Sequence, residues 1–397
     1  MVDMFVDAVY MAHILIVMEV SVKHLIITIM FAYICVLKEI YMVVLQCHLL
    51  QWIHLHQINH RLVFVWEQLV LNFRHILVNN KIEKMGNKKA ALISGGGSWG
   101  AFGGGTLARI NGDYDLIVGV STGSLLAPLA ALGEWERLKE GYTSVNDYDI
   151  FDKCWYKGKP LSKKGKLRKL PIIMTLLLGQ KSICTSNALR NTIDKFFSEE
   201  HFSELRSKDK EILVGTQNYA QIPSKIHYFS SQDVEYEDFK DWMWCSANFP
   251  FFTSLVKKSW NNETGSFHMG LWSDGGLTDL IGVNQLMMKG FKEIDIILHR
   301  TRPVEKLEGN FVDNLMENVT TSINAMRYDI EFEYFYERIK RLNKQGAKVT
   351  VYWLPRKLSE NSMMFNKEEM TAWWDEGYDT AFDPNRIEIF PAAAKRL

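Results

Sequence analysis

The stretch that decides the fold is residues 116–123, which read Leu-Ile-Val-Gly-Val-Ser-Thr-Gly. The short apolar run Leu116–Val120 predicts a buried strand of a parallel sheet. Ser121 follows at once, with a glycine two positions away on each side, and the small residues of Ser124–Leu132 predict a helix after it. A serine on so sharp a strand-to-helix turn holds its hydroxyl clear of the backbone, and the helix N-terminus directs amide dipoles towards a developing oxyanion. The pattern makes Ser121 a candidate nucleophile.

A glycine-rich loop precedes this turn. Residues 95–100 read Gly-Gly-Gly-Ser-Trp-Gly, directly after the apolar run Lys89–Ser94, which predicts the first strand. Consecutive glycines leave backbone N–H groups unobstructed, so the loop suits an oxyanion or a phosphate. Its first, third and sixth residues also satisfy the G-x-G-x-x-G dinucleotide fingerprint, with Asp113 and Asp115 near the distance expected for a ribose contact. The loop alone leaves a hydrolase, a nucleotide-binding oxidoreductase and a tight structural turn open.

Asp274, Gly275 and Gly276 form a third motif further along the chain. A carboxylate at a strand end, with glycines that leave room for the nucleophile, can accept the serine proton without a histidine. Asp-Gly is also a common turn dipeptide. The order Ser121, Asp274, His299 formally matches the triad of an α/β-hydrolase, but that fold places several strands ahead of its nucleophile. Only one predicted strand precedes Leu116 here, which favours a structural role for His299.

Strands and helices alternate along the rest of the chain. Further strands are predicted at Glu211–Thr216, Lys225–Ser230, Glu293–Leu298 and Val349–Trp353, and helical stretches at Gly100–Ile110, Val283–Lys289 and residues 310–343. Such alternation favours a parallel sheet covered by helices on both faces. An aromatic cluster before the third motif could line an acyl site or pack in the core: Trp242, Trp244, Phe249, Phe251 and Phe252.

Together, the three motifs resemble the patatin-like phospholipase family. The family pattern is a G-G-G-x-[RK]-G loop after the first strand, a G-x-S-x-G turn, and a distal D-G-[GA]. This chain has the loop Gly95–Gly100, the turn Gly119–Gly123 and the triplet Asp274–Gly276 in that order. Residues 245–252, Cys-Ser-Ala-Asn-Phe-Pro-Phe-Phe, are similar to the family's small-residue-then-proline segment. The resemblance extends from about Lys88 to about Arg302.

The resemblance implies a three-layer α/β/α fold with a mainly parallel central sheet. It also implies a lipid acyl hydrolase that cleaves fatty-acyl esters of phospholipids, lysophospholipids or neutral lipids through an acyl-enzyme, without a metal or another cofactor. The site residues carried over are a dyad of Ser121 (nucleophile) and Asp274 (base), an oxyanion loop of Gly95, Gly96, Gly97, Ser98 and Gly100, with the amides around Gly96, Gly97 and Ser98 as donors, and the motif glycines Gly119, Gly123, Gly275 and Gly276.

Two positions depart from the family pattern. Trp99 stands where the family usually has Arg or Lys, which removes a positive charge beside the oxyanion loop. Leu280 stands where the segment after D-G-G usually has Asn. Trp99 keeps open a non-catalytic lipid- or membrane-binding protein with the same fold.

The first 85 residues differ in composition from the rest of the chain. Residues 1–85 contain neither glycine nor proline and hold seven of the 11 histidines, which predicts a separate apolar helical leader. This leader is interpreted as an upstream extension, as a membrane-associated anchor or as a packed accessory. Residues 86–397 form the predicted hydrolase domain, with a motif-bearing core over 88–302 and an extension of helix and strand over 303–397.

Charge and cysteine content limit the kinds of partner and the cellular compartment that we expect for the protein. The 46 basic and 46 acidic residues balance, so no chain-wide field favours nucleic acid. Lys153–Leu178 carries eight basic residues and no acidic one, and it ends in an apolar run, which suits an anionic membrane surface or a solvated loop leading to a core helix. The five scattered cysteines are expected to be free thiols in a reducing compartment. We therefore expect a cytoplasmic protein that acts on lipid at or near a membrane.

Overall fold

The computed structural model describes residues 88–152, 179–302 and 334–393, apart from gaps at 222, 251, 262–266, 278, 280, 288 and 360–361. The leader, the basic segment Lys153–Leu178, Leu280 and Phe251 lie outside the described residues. None of the helices in the described ranges is long and apolar enough to cross a membrane.

The described residues form alternating strands and helices. The strands are β1 (Lys89–Ile93), β2 (Leu116–Val120), β3 (Glu211–Asn218), β4 (Lys225–Ser230), β5 (Val256–Asn261), β6 (Phe267–Asp274), β7 (Glu293–Thr301), β8 (Lys348–Leu354) and β9 (Ile387–Phe390). The helices are α1 (Gly100–Ile110), α2 (Thr122–Leu132), α3 (Trp135–Thr143), α4 (Asp147–Ile150), α5 (Asn187–Phe196), α6 (Glu199–Ser207), α7 (Tyr236–Ser246), α8 (residues 334–344) and α9 (Lys367–Asp379).

One sheet joins all the described strands, in the order β5-β6-β3-β2-β1-β7-β8-β9, with β4 also paired to β3. The strands β3, β2, β1, β7 and β8 are parallel neighbours. Antiparallel pairing occurs at the two sides, where β9 joins β8 and where β4 and β6 join β3. The expected mixed α/β fold with a mainly parallel centre is confirmed.

Each face of the sheet carries its own apolar core. In β1, Ala91 and Ile93 belong to one buried cluster, whereas Ala90 and Leu92 belong to the other. Successive strand residues point to opposite faces, so the two clusters lie on opposite sides of the sheet. Phe102 of α1 packs into the first cluster and Phe335 of α8 into the second. Helices therefore flank both faces, which makes three layers.

Strand β3 organises the region around the candidate nucleophile. Its residues 211–215 pair with β2, 213–218 pair with β4, and 216–218 pair with β6. A strand has only two hydrogen-bonding edges, and β4 overlaps both other partners. It follows that β2 and β6 occupy the same edge of β3, end to end. Val120 is opposite Gly215 and Asp274 is opposite Thr216, so the two strand ends meet there.

Three expectations need correction. The helix expected over Val283–Lys289 is only a short 3₁₀ turn, Val283–Leu286, because Met287 is already extended. The helix after Ser121 begins at Thr122, two residues earlier than expected. Cys184 is disulfide-bonded, so the expectation of free thiols is wrong for this residue, while Cys245 is free and buried. Cysteines distant in sequence can meet in a fold, which their spacing does not reveal.

Candidate active site

The turn at Ser121 has a backbone conformation that few side chains adopt. Its φ is 56° and its ψ is −128°, directly after β2 and before α2. A Cβ added to Gly123 would lie 2.1 Å from the carbonyl oxygen of Ile93, and one added to Gly119 would lie 2.4 Å from that of Gly123. Glycine is therefore required on both sides. Strain of this kind costs about 1–3 kcal/mol and persists only where the surroundings enforce it.

Ser246 supplies part of that enforcement. Its hydroxyl accepts the backbone N–H of Ser121 at 2.8 Å and donates to the carbonyl of Gly215 on β3 at 2.7 Å. On the other side of the turn, the Ser124 hydroxyl donates to the Ser121 carbonyl at 2.7 Å. Sequence reasoning did not assign Ser246 a role. The feature of the sequence that could have indicated this role is the position of Ser246 within residues 245–252, the segment that resembles the family.

Asp274 lies beside this turn. It ends β6 opposite Thr216, one register position beyond Gly215. Its carboxylate accepts the N–H of Gly276 at 2.7 Å, and its own N–H donates to the carbonyl of Asn248. Ser121 is 8% exposed and Asp274 is 4% exposed, and both line one cavity. The structure thus brings the candidate nucleophile and the candidate base into one site.

The glycine-rich loop follows β1 and borders the same cavity. Gly97, with φ +55°, lines the cavity, and a Cβ there would lie 2.2 Å from the carbonyl oxygen of Ser362. The N–H and the hydroxyl of Ser98 both donate to that Ser362 oxygen, at 2.8 and 2.9 Å. In this structure the Ser98 amide is therefore directed at the C-terminal part of the chain.

The remaining loop glycines are packed closely. Gly95 is buried, and its carbonyl accepts the hydroxyl of Ser94. A Cβ on Gly96 would lie 2.3 Å from the Cβ of His299, and one on Gly100 would lie 2.4 Å from the Thr122 hydroxyl. No larger residue fits at Gly96 or Gly100 without displacing these neighbours. The loop is held against both β7 and the start of α2.

Trp99 occupies the position where the family usually has a basic residue. It is half-buried, and its indole N–H donates to the hydroxyl of Ser359 at 2.9 Å. The side chain therefore fastens the loop to a segment near the end of the chain.

His299 is buried in β7, where its ring packs against the glycine-rich loop and α1. Nδ1 lies 2.8 Å from the carbonyl oxygen of Ser94 and 3.3 Å from its hydroxyl. Nε2 is buried without a hydrogen-bond partner among the described residues, and a Cβ on Gly103 of α1 would lie 2.0 Å from it. Burial lowers the pKa of His299 to about 4, so the ring is neutral near pH 7. Its Nε2 faces Gly103 of α1.

The cavity beside Ser121 is predominantly apolar. Its empty volume, including the part open to solvent, is ≈ 940 Å³. Asp274 is the only carboxylate among the described lining residues. Tyr142 also lines it, and burial raises the pKa of this phenol, which hydrogen bonds to Thr122. The main apolar lining residues are Leu125, Leu129, Leu138, Val145, Ile150, Phe151, Leu189, Ile193, Phe196, Phe197, Met243, Phe249, Met363, Phe365 and Met370.

The aromatic cluster noted in the sequence divides between cavity and core. Phe249 lines the cavity, whereas Trp242 stacks on Phe229 with ring centroids 3.7 Å apart. Phe252 packs in the core, and the indole N–H of Trp244 donates to Ser186. Only part of the cluster is therefore placed to contact a ligand.

The residues that suggested a nucleotide have structural partners instead. Asp113 pairs with Lys210, and the Asp115 carboxylate accepts the N–H of Lys89 at 2.8 Å. Within the described ranges, no cluster of three or more His, Cys, Asp or Glu side chains could hold a metal ion.

Comparison with known proteins adds a family. Residues 92–287 match the family model described as patatin-like phospholipase. A comparison with curated proteins finds no match. Among solved structures, the chain is similar to the crystal structure of VipD from Legionella pneumophila, at 13% identity, with 77% of this chain and 68% of that chain covered and a TM-score of 0.38.

Proposed function

Because this chain belongs to the patatin-like phospholipase family through residues 92–287, a membership that implies lipid acyl hydrolase activity, we propose that Ser121 and Asp274 cleave fatty-acyl esters as a catalytic dyad. The observation that carries the proposal is the meeting of β2 and β6 on one edge of β3. Val120, directly before the strained turn at Ser121, and Asp274 pair with adjacent residues of β3, and Ser121 and Asp274 both line one apolar cavity.

The proposed reaction has two halves. Ser121 Oγ attacks the acyl carbonyl carbon while Asp274 accepts the hydroxyl proton, and collapse of the tetrahedral intermediate transfers that proton to the leaving alcohol. The acyl group is then an ester of Ser121. Water attacks this ester, Asp274 accepts one of its protons, and the fatty acid leaves as the serine hydroxyl is restored.

The oxyanion that forms on the acyl carbonyl requires N–H donors close to Ser121. We assign this role to the amides of Gly96 and Gly97, since Gly97 lines the cavity. The Ser98 amide could join them only after Ser362 withdraws, because it donates to the Ser362 carbonyl at 2.8 Å. Trp99 contributes no charge here, so the backbone donors and the N-terminus of α2 carry the stabilisation.

The apolar cavity favours a lipid as the acyl donor. A fatty-acyl chain buried among the aliphatic and aromatic lining residues would gain roughly 0.8 kcal/mol per methylene removed from water. A membrane or micelle surface would supply such substrates.

The test is hydrolysis by the full chain and by two variants. Purified protein is incubated with vesicles of mixed phospholipids and neutral lipids, and the released fatty acids and lysolipids are identified by mass spectrometry. We expect release by the unaltered protein, none by Ser121→Ala, and loss of fluorophosphonate labelling in that variant. Ser207→Ala, which alters an exposed serine of α6, is the matched control. Undiminished labelling of Ser121→Ala would show that another serine reacts, and bound but uncleaved lipid would favour a lipid-binding protein.

A further inference from the structure

The cavity beside Ser121 is completed by residues far beyond the family match. That match ends at residue 287, yet Met363, Phe365 and Met370 line the same cavity as Ser121 and Asp274. We call residues 362–370 the C-terminal wall. It consists of a turn at Ser362 and Met363, a short irregular stretch and the first turn of α9.

The wall is anchored on both sides of Met363. At its start, Ser362 accepts both the N–H and the hydroxyl of Ser98, and Trp99 donates to the nearby Ser359 hydroxyl. Further along, the N–H of Phe365 donates to the Asp147 carboxylate of α4 at 2.8 Å. Hydrogen bonds at Ser362 and Phe365 therefore hold the backbone on both sides of Met363.

The wall meets other apolar side chains across the cavity. The ring of Phe365 packs edge-on against Phe151, with centroids 6.1 Å apart, and Phe151 in turn stacks on Phe252 at 6.2 Å. Both Met363 and Phe365 are half-buried and pack on the main apolar core. A change of volume at either position would change the space left for a ligand, because the surrounding packing is close.

We propose that Met363 and Phe365 set which acyl chains the enzyme accepts, so that acyl selectivity is built from outside the family-matching region. This inference rests on the proposed hydrolysis at Ser121. An acyl chain extending from the Ser121 ester would run through the apolar cavity, and these two side chains line the same cavity as Ser121 and Asp274. In a hydrophobic site one methylene changes relative rates by about 10–200-fold, so a large change in wall volume will be measurable.

The test compares chain-length selectivity in the full-length protein. The kcat/KM for a long-chain 4-nitrophenyl ester, dodecanoate or hexadecanoate, is divided by that for 4-nitrophenyl acetate. This ratio is compared between the unaltered protein, a variant with a smaller cavity and a variant with a larger one. Met363→Trp fills the cavity, so we expect the ratio to fall about tenfold or more. Phe365→Ala widens it, so we expect the ratio for hexadecanoate to acetate to rise several-fold. Met364→Trp is the matched control, because Met364 packs on the same core without lining the cavity, and its ratio should stay within about twofold.

A folding measurement and a replacement variant distinguish a change in selectivity from a failure to fold. Thermal unfolding shows whether each variant folds, and Met363→Phe, a smaller increase in volume at the same position, replaces Met363→Trp if tryptophan is not tolerated. Unchanged ratios in folded wall variants, or an equal shift in Met364→Trp, would overturn the inference. If the unaltered protein cleaves neither ester, or if Ser121→Ala is as active, the proposed function itself has failed.

Discussion

The hydroxyl oxygen of Ser246 lies 2.8 Å from the backbone nitrogen of Ser121, and the same hydroxyl donates to Gly215 of β3. The strained turn is thereby tied to the strand that also pairs with β6. Removal of this hydroxyl leaves a buried N–H without its partner, which costs about 1–3 kcal/mol.

Ser246→Ala is therefore expected to lower both the unfolding free energy and the rate at which a fluorophosphonate labels Ser121. Ser273→Ala is the matched control, since Ser273 is also fully buried but its hydroxyl has no hydrogen-bond partner among the described residues. We expect that variant to be neutral or slightly more stable. Equal labelling rates in Ser246→Ala and the unaltered protein would show that the turn holds itself without the brace.

The identity of the base is tested by Asp274→Asn and His299→Ala. An amide cannot accept the serine proton, so Asp274→Asn should reduce kcat on the order of 10³-fold or more. His299→Ala should keep a working dyad in the folded fraction, because Nδ1 is bonded to Ser94 and Nε2 faces α1. Asp209→Asn, on an exposed residue with φ 53° that asparagine tolerates, controls for the substitution itself. A folded His299→Ala protein as inactive as Ser121→Ala would contradict the dyad.

The burial of neutral His299 predicts a specific loss of stability in acid. Its pKa is lowered from 6.5 to about 4 in the folded protein, so between these values the unfolded chain binds a proton that the folded protein does not. Stability is therefore lost as the pH falls from 6.5 towards 4, and between pH 7 and pH 5 this residue should account for about 2 kcal/mol.

Urea unfolding of the unaltered protein and of His299→Gln at pH 7 and pH 5 measures this contribution. Other groups titrate in both proteins, so the difference between the two pH dependences isolates His299. We expect the variant to lose less stability than the unaltered protein over this interval. Identical losses would mean that the imidazole is protonated within the fold.

Gly97→Ala tests the close approach of the glycine-rich loop to Ser362. At φ +55°, alanine is strained by about 1 kcal/mol, and its Cβ would lie 2.2 Å from the Ser362 carbonyl oxygen. We expect loss of hydrolysis and a fall in melting temperature. Gly133→Ala provides the control, because Gly133 has φ +75° but its nearest neighbour would be 3.9 Å from the added Cβ. If the two variants lose similar activity and stability, the effect at Gly97 comes from backbone strain and not from the close contact with Ser362.

Local features of the sequence predicted the parts of the site that one segment builds. The apolar run before Ser121 and the glycines beside it predicted the strand and the turn, because buried parallel strands and tight turns leave residue patterns. Contacts between distant segments leave no such pattern. The Ser246 brace, the disulfide at Cys184 and the C-terminal wall at Met363 each depend on pairings that only the folded chain creates.

The end-to-end meeting of β2 and β6 on β3 makes insertion tolerance uneven along the chain. Val120, the residue before Ser121, and Asp274 pair with the neighbouring residues Gly215 and Thr216 of β3, so their separation is fixed by one register step and not by the length of chain that connects them. Insertions in the connecting segments leave that step unchanged. A one-residue insertion between Gly215 and Thr216 would instead shift the two strand ends apart and turn every β3 side chain beyond the insertion to the opposite face. Length variation among related chains should accordingly spare β3 while it changes the loops around it.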